Sequence, residues 1–212
     1  MRHYEARDRE SVFRIAADTA FFGEPVEAYL DDRALFCDAL YRYYTDLEPW
    51  HGWVACANEH VTGFLMGCAD TAAQRRLWLA KILPRLASGV LAGQYRVGSR
   101  TRRHAARLAR CALHSRPRVD LRKWPAHLHM NVEAAQRGHG IGRRLLEAFL
   151  AQLRKERVRG VHLNTTTLNR AAGALYVSAG FRPVALQPAP QWQGLRSDAV
   201  FNVCYALDLQ TG

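Results

Sequence analysis

Between Ala126 and Leu150 the chain reads AHLHMNVEAAQRGHGIGRRLLEAFL: a strand-like run, a glycine-rich turn, then an amphipathic helix. A turn of that kind opening a helix is an anion site, because unpaired backbone N–H groups point outward there with the positive end of the helix dipole behind them. Gly138, Gly140 and Gly142 let a phosphate approach main chain that a Cβ would block. The turn therefore points to a phosphorylated ligand. The strand before it carries a second set of chemically capable residues. Its period of two puts Leu128, Met130 and Val132 on one face and His127, His129, Asn131 and Glu133 on the other. Polar side chains in register on a central strand are read either as one wall of a cleft or as hydrogen-bonded core residues. A zinc pair at His127 and His129 is disfavoured, since no cysteine or carboxylate stands nearby at ligand spacing.

Two familiar phosphate cradles fail on spacing. A P-loop needs Lys followed by Ser or Thr after its last glycine, whereas Gly142 is followed by Arg143 and Arg144. The dinucleotide fingerprint G-x-G-x-x-G would put its third glycine at Arg143. Its acidic residue, due at the end of the next strand, falls where the chain has Thr165, Thr166 and Thr167.

The elements that must position these residues are legible in outline. Asp8–Ala20 has helical spacing, with Asp8 or Ser11 as cap, and Asp31–Asp46 reads as a second helix. Gly52–Ala57 and Val61–Cys68 read as a hairpin joined by Asn58, Glu59 and His60. Thr71–Val90 is helical with a kink or break at Pro84, and Ser99–His114 is a further helix. After the glycine turn come a strand at Val161–Thr165, a helix at Asn169–Ala179, and strands near Phe181–Ala185 and Ala199–Leu207. This order predicts an α/β architecture, a central mixed sheet with helices on both faces. The chain is expected to form one domain over residues 1–212, with a helical, basic insertion at 71–123 between strands 3 and 4.

The turn is followed, about 30 residues on, by N-x-x-A-x-x-L-Y-x-x-x-G-F, here Asn169, Ala172, Leu175, Tyr176, Gly180 and Phe181. R-G-x-G-I-G and this second motif together resemble the GNAT superfamily of acetyl-CoA-dependent N-acetyltransferases. The finer stretch Trp124–Asn131, WPAHLHMN, is similar to a branch that includes the acetyltransferase-like domains of some O-GlcNAc hydrolases. The resemblance implies a GNAT-like fold and acetyl-CoA as co-substrate, without a metal. It implies that Arg137, Gly138, His139, Gly140, Ile141, Gly142 and Arg143 hold the pyrophosphate. Met130, Asn131 and Val132 would pair with the pantetheine amides as an added strand does, Asn169 would touch the pantetheine arm, and Tyr176 would lie near the sulfur. Tyr176 is then the candidate acid for the leaving thiolate, and the backbone N–H near Val132 the group that acts on the developing oxyanion. That branch usually has an aspartate where this chain has Asn131, and an amide takes no proton. The base is left among His129, Glu133, Asp70 and water; the alternative is a catalytically inactive acyl-CoA-binding or scaffolding domain.

Acceptor signals are sparse. Glu24, Glu27, Asp31 and Asp32 put four carboxylates in nine residues of the first inter-helix loop, and a cationic amine would be drawn there. Asp31 and Asp32 read equally well as acids at a helix start. Net charge is +11, and Arg96 to Lys123 carries ten Arg and Lys against Asp120. That basic run fits a cofactor phosphate, an acidic partner or a solvated arm better than nucleic acid, because its aromatics, Tyr95 and Trp124, stand at its ends rather than interleaved.

Composition excludes the remaining classes. With 49% hydrophobic and 23% charged residues the chain is an ordinary globular one, and no apolar run reaches the roughly 18 residues of a membrane span. Its start, MRHYEARDRE, is too charged for a secretory signal. Cys37, Cys56, Cys68, Cys111 and Cys204 form no CxxC pair and read as reduced thiols. A cytoplasmic enzyme with an amine acceptor is expected, with no membrane partner and a homodimer left open.

Overall fold

The computed structural model describes residues 1–114, 119–192, 194–197 and 199–210; the side chains of 111–114, Cys111 among them, and residues 115–118 of the basic run lie outside that description. In chain order the elements are β1 (Arg2–His3), α1 (Arg9–Asp18), α2 (Arg33–Leu40), α3 (Arg42–Asp46), β2 (Gly52–Ala57) and β3 (His60–Cys68). Then come α4 (Thr71–Leu77), a π turn (Trp78–Ile82), α5 (Leu83–Leu91) and α6 (Ser99–His114). The last part holds β4 (Ala126–Val132), α7 (Ile141–Lys155), β5 (Gly160–Thr166), α8 (Arg170–Ser178), β6 (Arg182–Pro188) and β7 (Phe201–Asp208). The strands form one mixed sheet of order β1-β2-β3-β4-β5-β7-β6, in which β4 and β5 are parallel and the other pairs antiparallel.

Alternation along β3 divides its side chains between two cores. Phe64, Met66 and Cys68 pack with α1, α2 and α3, and Leu65 packs on the opposite face under α7. Helix α7 buries Leu145, Leu146, Phe149, Leu150 and Leu153 on that second face, each removal from water contributing about 1.5–3 kcal/mol. Gly67 is what lets α7 lie this close: a Cβ there would stand 2.4 Å from the Phe149 ring. Among the described residues no helix is long and apolar enough to cross a membrane.

Several expectations are refined. The hairpin loop is two residues, Asn58 and Glu59, both at positive φ (47° and 68°), so that His60 already pairs with Ala57. That is the turn whose twist matches the strands it joins. The helix expected over Asp31–Asp46 is two helices, broken at Tyr41 (φ −113°), whose buried ring packs against Phe64 at 5.4 Å. Asp8 occupies the N-cap position of α1 without capping it; its carboxylate instead takes the Arg2 fork at 2.6 and 2.7 Å and the Glu5 N–H at 2.8 Å. At the break before Pro84 the helix widens into the π turn, which accommodates a proline that cannot donate and crowds the preceding turn. The segment from Thr71 to Trp124 leaves and rejoins the sheet at one point, because Pro125 O accepts from Thr71 N–H (2.8 Å) and Thr71 Oγ1–H (2.6 Å).

Candidate functional site

β4 and β5 are hydrogen-bonded neighbours only at Ala126–Val161 and His127–His162; from Leu128 onward they part. Each stays paired with its outer neighbour along its length, β4 with β3 and β5 with β7. The Glu133 N–H donates to Thr62 O at 2.9 Å, which fixes the phase of the β3–β4 ladder. By the alternation of an antiparallel ladder, the N–H groups of His127, His129 and Asn131 face β3, and those of Leu128, Met130 and Val132 face the gap. The gap is therefore a cleft with a strand edge as one wall. Two adjoining cavities, of about 350 and 430 Å³, fill it; both are lined by Thr19, Phe22, Met130, Asn131, Asn169 and Tyr176.

One end of the cleft is the glycine turn. Gly138 and Gly140 sit at φ +82° and +73°, and a Cβ on either would project into open space. The Arg144 N–H closes the first turn of α7 on Gly140 O (3.1 Å), while the N–H groups from Gly138 to Arg143 have no acceptor among the described residues. Arg137 reaches back along the cleft, Nε donating to Val132 O at 3.2 Å with its Nη1 about 3.1 Å from where a Gly23 Cβ would stand. Arg143 Nη2 donates to Ser178 Oγ at 2.8 Å. Met130, Asn131, Val132, Arg137, Gly138, Gly140, Ile141, Gly142, Arg143, Asn169 and Tyr176 all line this half of the cleft. His139 does not; it is exposed and faces a separate hollow with Cys56, Thr62 and Arg144.

The middle of the cleft holds Tyr176, Asn131 and His129. Tyr176 is 5% exposed, and burial pushes its phenol up to about 12, so it is protonated throughout the physiological range. Its hydroxyl has no hydrogen-bond partner among the described residues. The Asn131 amide is fixed on the other wall, Nδ2 donating to Thr19 Oγ1 (2.6 Å) and Oδ1 accepting from Tyr41 Oη–H at 3.5 Å. His129 stands among the rings of Tyr44 (5.5 Å), His127 (5.6 Å) and Tyr41 (5.9 Å), and burial with the neighbouring His162 holds it down to about 4. It is an uncharged imidazole at neutral pH.

His127 belongs to the core. Thr71 Oγ1 donates to Pro125 O and so accepts from Nδ1–H of His127 (2.7 Å); Nε2 then accepts from the Tyr44 hydroxyl (2.5 Å). Both ring nitrogens are engaged, burial holds the ring far below its usual pKa, and no lone pair remains for a metal.

The carboxylates expected at the site stand apart from it. Glu133 pairs with Arg14 at 2.7 Å, and Asp70 caps α4 by accepting from Ala73 N–H at 2.9 Å. Glu24 is exposed, and Glu27 takes the Arg33 fork at 2.7 and 3.2 Å, which holds its carboxyl below the usual range. Asp31 accepts from Thr101 N–H at 2.8 Å and pairs with Arg100 at 3.2 Å; the backbone bond leads in lowering it to about 2. Asp32 caps α2 through Leu35 N–H and accepts from Arg96 N–H, each at 2.8 Å. The acids of the first loop thus clasp the start of the basic insertion, and among the described residues no carboxylate lines either cavity.

Aromatic side chains that the sequence reading did not single out occupy the far end. Tyr29, Phe36, Tyr41 and Trp192 line the smaller cavity. Helix α6 braces this wall from behind, its His104 ring 4.5 Å from Tyr29 and 5.5 Å from Trp192. The signal was available as an aromatic-rich loop, FFGEPVEAYL, but nothing local tied it to Trp192, 163 positions beyond Tyr29.

The acetyltransferase (GNAT) domain family model matches residues 103–183 of the chain. Among solved structures, that of SsHAT superposes with a TM-score of 0.73 at 26% identity, over 99% of this chain and 98% of that one. Ribosomal-protein-alanine N-acetyltransferase from Brucella melitensis superposes with a TM-score of 0.59 at 18% identity over 98% of each chain. The structure of yncA from Salmonella typhimurium with its cofactor acetyl-CoA gives 0.59 at 17% identity, over 100% of this chain and 94% of that one. The fold is that of the GNAT acetyltransferases: a seven-stranded mixed sheet flanked by helices.

Proposed function

We propose that this protein is an acetyl-CoA-dependent N-acetyltransferase acting on a primary amine by direct attack in a ternary complex. The observation that carries the reading is the parting of β4 from β5. It opens an extended cleft with strand-edge N–H groups along one wall, a turn at one end whose six N–H groups have no acceptor among the described residues, and a buried phenol in the middle. Those features fit a diphosphate joined to an extended amide-bearing arm that ends in a thioester.

In this reading the N–H groups of Gly138 to Arg143, with the Arg137 and Arg143 guanidinium groups nearby, hold the diphosphate. The edge N–H groups of Met130 and Val132 pair with the arm and with the acyl oxygen, where fixed donors stabilise developing charge without reorganising. Asn169 holds the arm against α8. Acetyl-CoA supplies a thioester carbonyl. As the amine nitrogen bonds to that carbon and the C–S bond breaks, Tyr176 Oη–H protonates the departing sulfur. A phenol held near 12 is a weaker acid than a thiol, so it acts through position and not through acidity. The proton released from nitrogen goes to the His129 imidazole or to water, with Asn131 and Thr19 orienting the acceptor. Glu133 and Asp70 have no part in it.

The Trp124–Asn131 stretch is our ground for setting the chain nearest the acetyltransferase-like domains of O-GlcNAc hydrolases. We read residues 1–212 as one acetyltransferase domain with 71–123 as an insertion. The free thiols Cys37, Cys56, Cys68 and Cys204 support a cytoplasmic home.

Titration with acetyl-CoA, followed by thiol release on a panel of amines, tests the proposal. Saturable binding that perturbs the amides of Gly138–Gly142, with acceptor-dependent thiol release, is the expected result. Binding without release on any amine points to the second reading, an inactive acyl-CoA-binding domain, which the absence of a carboxylate along the cleft among the described residues favours.

A further inference from the structure

We infer that the acceptor is an uncharged aromatic amine, seated against Tyr29, Phe36 and Trp192 at the far end of the cleft, and not an alkylammonium ion. This rests on the acetyl-transfer reading above for its chemistry, but its recognition argument stands on the cavity alone.

The first ground is the wall. Rings from three separate elements converge there: Tyr29 from the first loop, Phe36 from α2, and Trp192 from the segment between β6 and β7. Tyr29 and Trp192 meet edge to face at 5.2 Å and 89°, an arrangement that extends naturally to a third ring. The second ground is charge. An ammonium taken from water needs a carboxylate to meet it. Among the described residues neither cavity has one, because Glu27, Asp31, Asp32 and Glu133 are engaged by arginines or backbone N–H groups elsewhere. The charged side chains that do border the cleft, Arg137 and Arg143, are cations, on a chain of net charge +11. Phe22, a further ring lining this cavity, already carries the Arg196 guanidinium 5.6 Å from its centroid, and that cation disfavours a second one beside it.

The third ground is the proton. At pH 7 only about one alkylamine molecule in 10³ is neutral and nucleophilic. The titratable groups facing the cavity are Tyr29 from the first loop, Tyr41 from the break between α2 and α3, His129 from β4, and Tyr176 from α8. Burial drives the phenols up and His129 down to about 4, so none takes a proton from an alkylammonium. An arylamine arrives unprotonated. Its nitrogen forms the C–N bond and becomes strongly acidic, giving a proton to His129 Nδ1 or Nε2. The C–S electron pair leaves with sulfur, and sulfur takes the Tyr176 proton.

The test compares p-toluidine, phenethylamine and spermidine at pH 7 on the whole protein. Thiol release with saturating acetyl-CoA is one readout, and saturation-transfer NMR of p-toluidine, with and without coenzyme A, is the other. Expected are a kcat/KM for p-toluidine at least about tenfold above either cation, and ring-proton saturation that equimolar phenethylamine leaves in place. Faster acetylation of phenethylamine or spermidine, or absence of p-toluidine saturation, overturns the inference. Saturation without thiol release on any amine sinks the transfer reading and with it the acceptor role, and leaves only the seat for an uncharged ring standing. Leu40 lines the same cavity at 45% exposure, so Leu40→Glu adds a carboxylate at the rim without disturbing the core. The preference for p-toluidine over phenethylamine should fall about fivefold in that variant; an unchanged ratio in binding overturns the proposed seat.

Discussion

His104 lies on α6, 6% exposed between the rings of Tyr29 and Trp192, and its Nδ1 has no partner among the described residues. Burial first, and the charge of Arg107 second, hold it down to about 4 from 6.5. Between those two values the unfolded chain binds a proton that the folded one refuses, so stability rises with pH. The contribution is fully present above about 6.5 and is lost as the pH falls toward 4. The whole span is worth about 3 kcal/mol, and a drop from pH 7.5 to 5.0 forfeits about 2 kcal/mol of it. His129, held down to about 4, acts in the same direction, as do His127 and His162. His51 opposes them: burial lowers it, but hydrogen bonds with Glu48 and Glu156 outweigh that and raise it. His104→Phe keeps a ring in the stack and removes the titration. Urea unfolding followed by tryptophan fluorescence at pH 7.5 and 5.0 should show the variant losing about 2 kcal/mol less than the parent over that interval. If parent and variant lose the same amount, His104 is not a neutral imidazole buried behind the Tyr29–Trp192 wall.

Tyr176→Phe should lower kcat by about 10²–10³ with the Kd for acetyl-CoA unchanged, measured by thiol release and calorimetry; full turnover removes Tyr176 from the chemistry. Gly138→Val forces a branched side chain onto φ +82° beside the cradle, and acetyl-CoA should bind about tenfold more weakly. A retained Kd in that variant means the diphosphate sits elsewhere. Gly67→Ala drives a methyl into the Phe149 ring and should cost about 1–3 kcal/mol in urea unfolding. Asp31→Ala releases Thr101 and Arg100 from the first loop, so amide exchange at the start of α6 should quicken while that in α7 does not.

Local chemistry made much of this legible in advance. The glycines at 138, 140 and 142, the period of two along β4 and the apolar stripe of α7 each state their element within a few residues. The helix from Asn169 to Ala179 was readable for the same reason, whereas the motif it carries, through Phe181, was readable only by resemblance to a known family. The helix ends were less so: the break at Tyr41 and the π turn before Pro84 follow from which ring is drawn into the core, and that is a matter of what lies across the gap. The acids of the first loop show the limit most plainly. In sequence, Glu27, Asp31 and Asp32 look like a trap for a cation; in space Arg33, Arg96, Arg100 and the Thr101 amide have already claimed them.

By itself the sequence determined the glycine turn, the strand leading to it and the helix that carries Tyr176, because glycine torsions, strand period and helix spacing act over a few residues. Only the tertiary structure decided that β4 and β5 part after two pairs, that His127 is spent on Tyr44 and Thr71 while His129 faces the cleft, and that Tyr29 meets Trp192. Those outcomes depend on long-range packing and desolvation. A side chain's charge state, and whether its hydrogen bonds are already taken, are set by neighbours that the chain brings from far along its length.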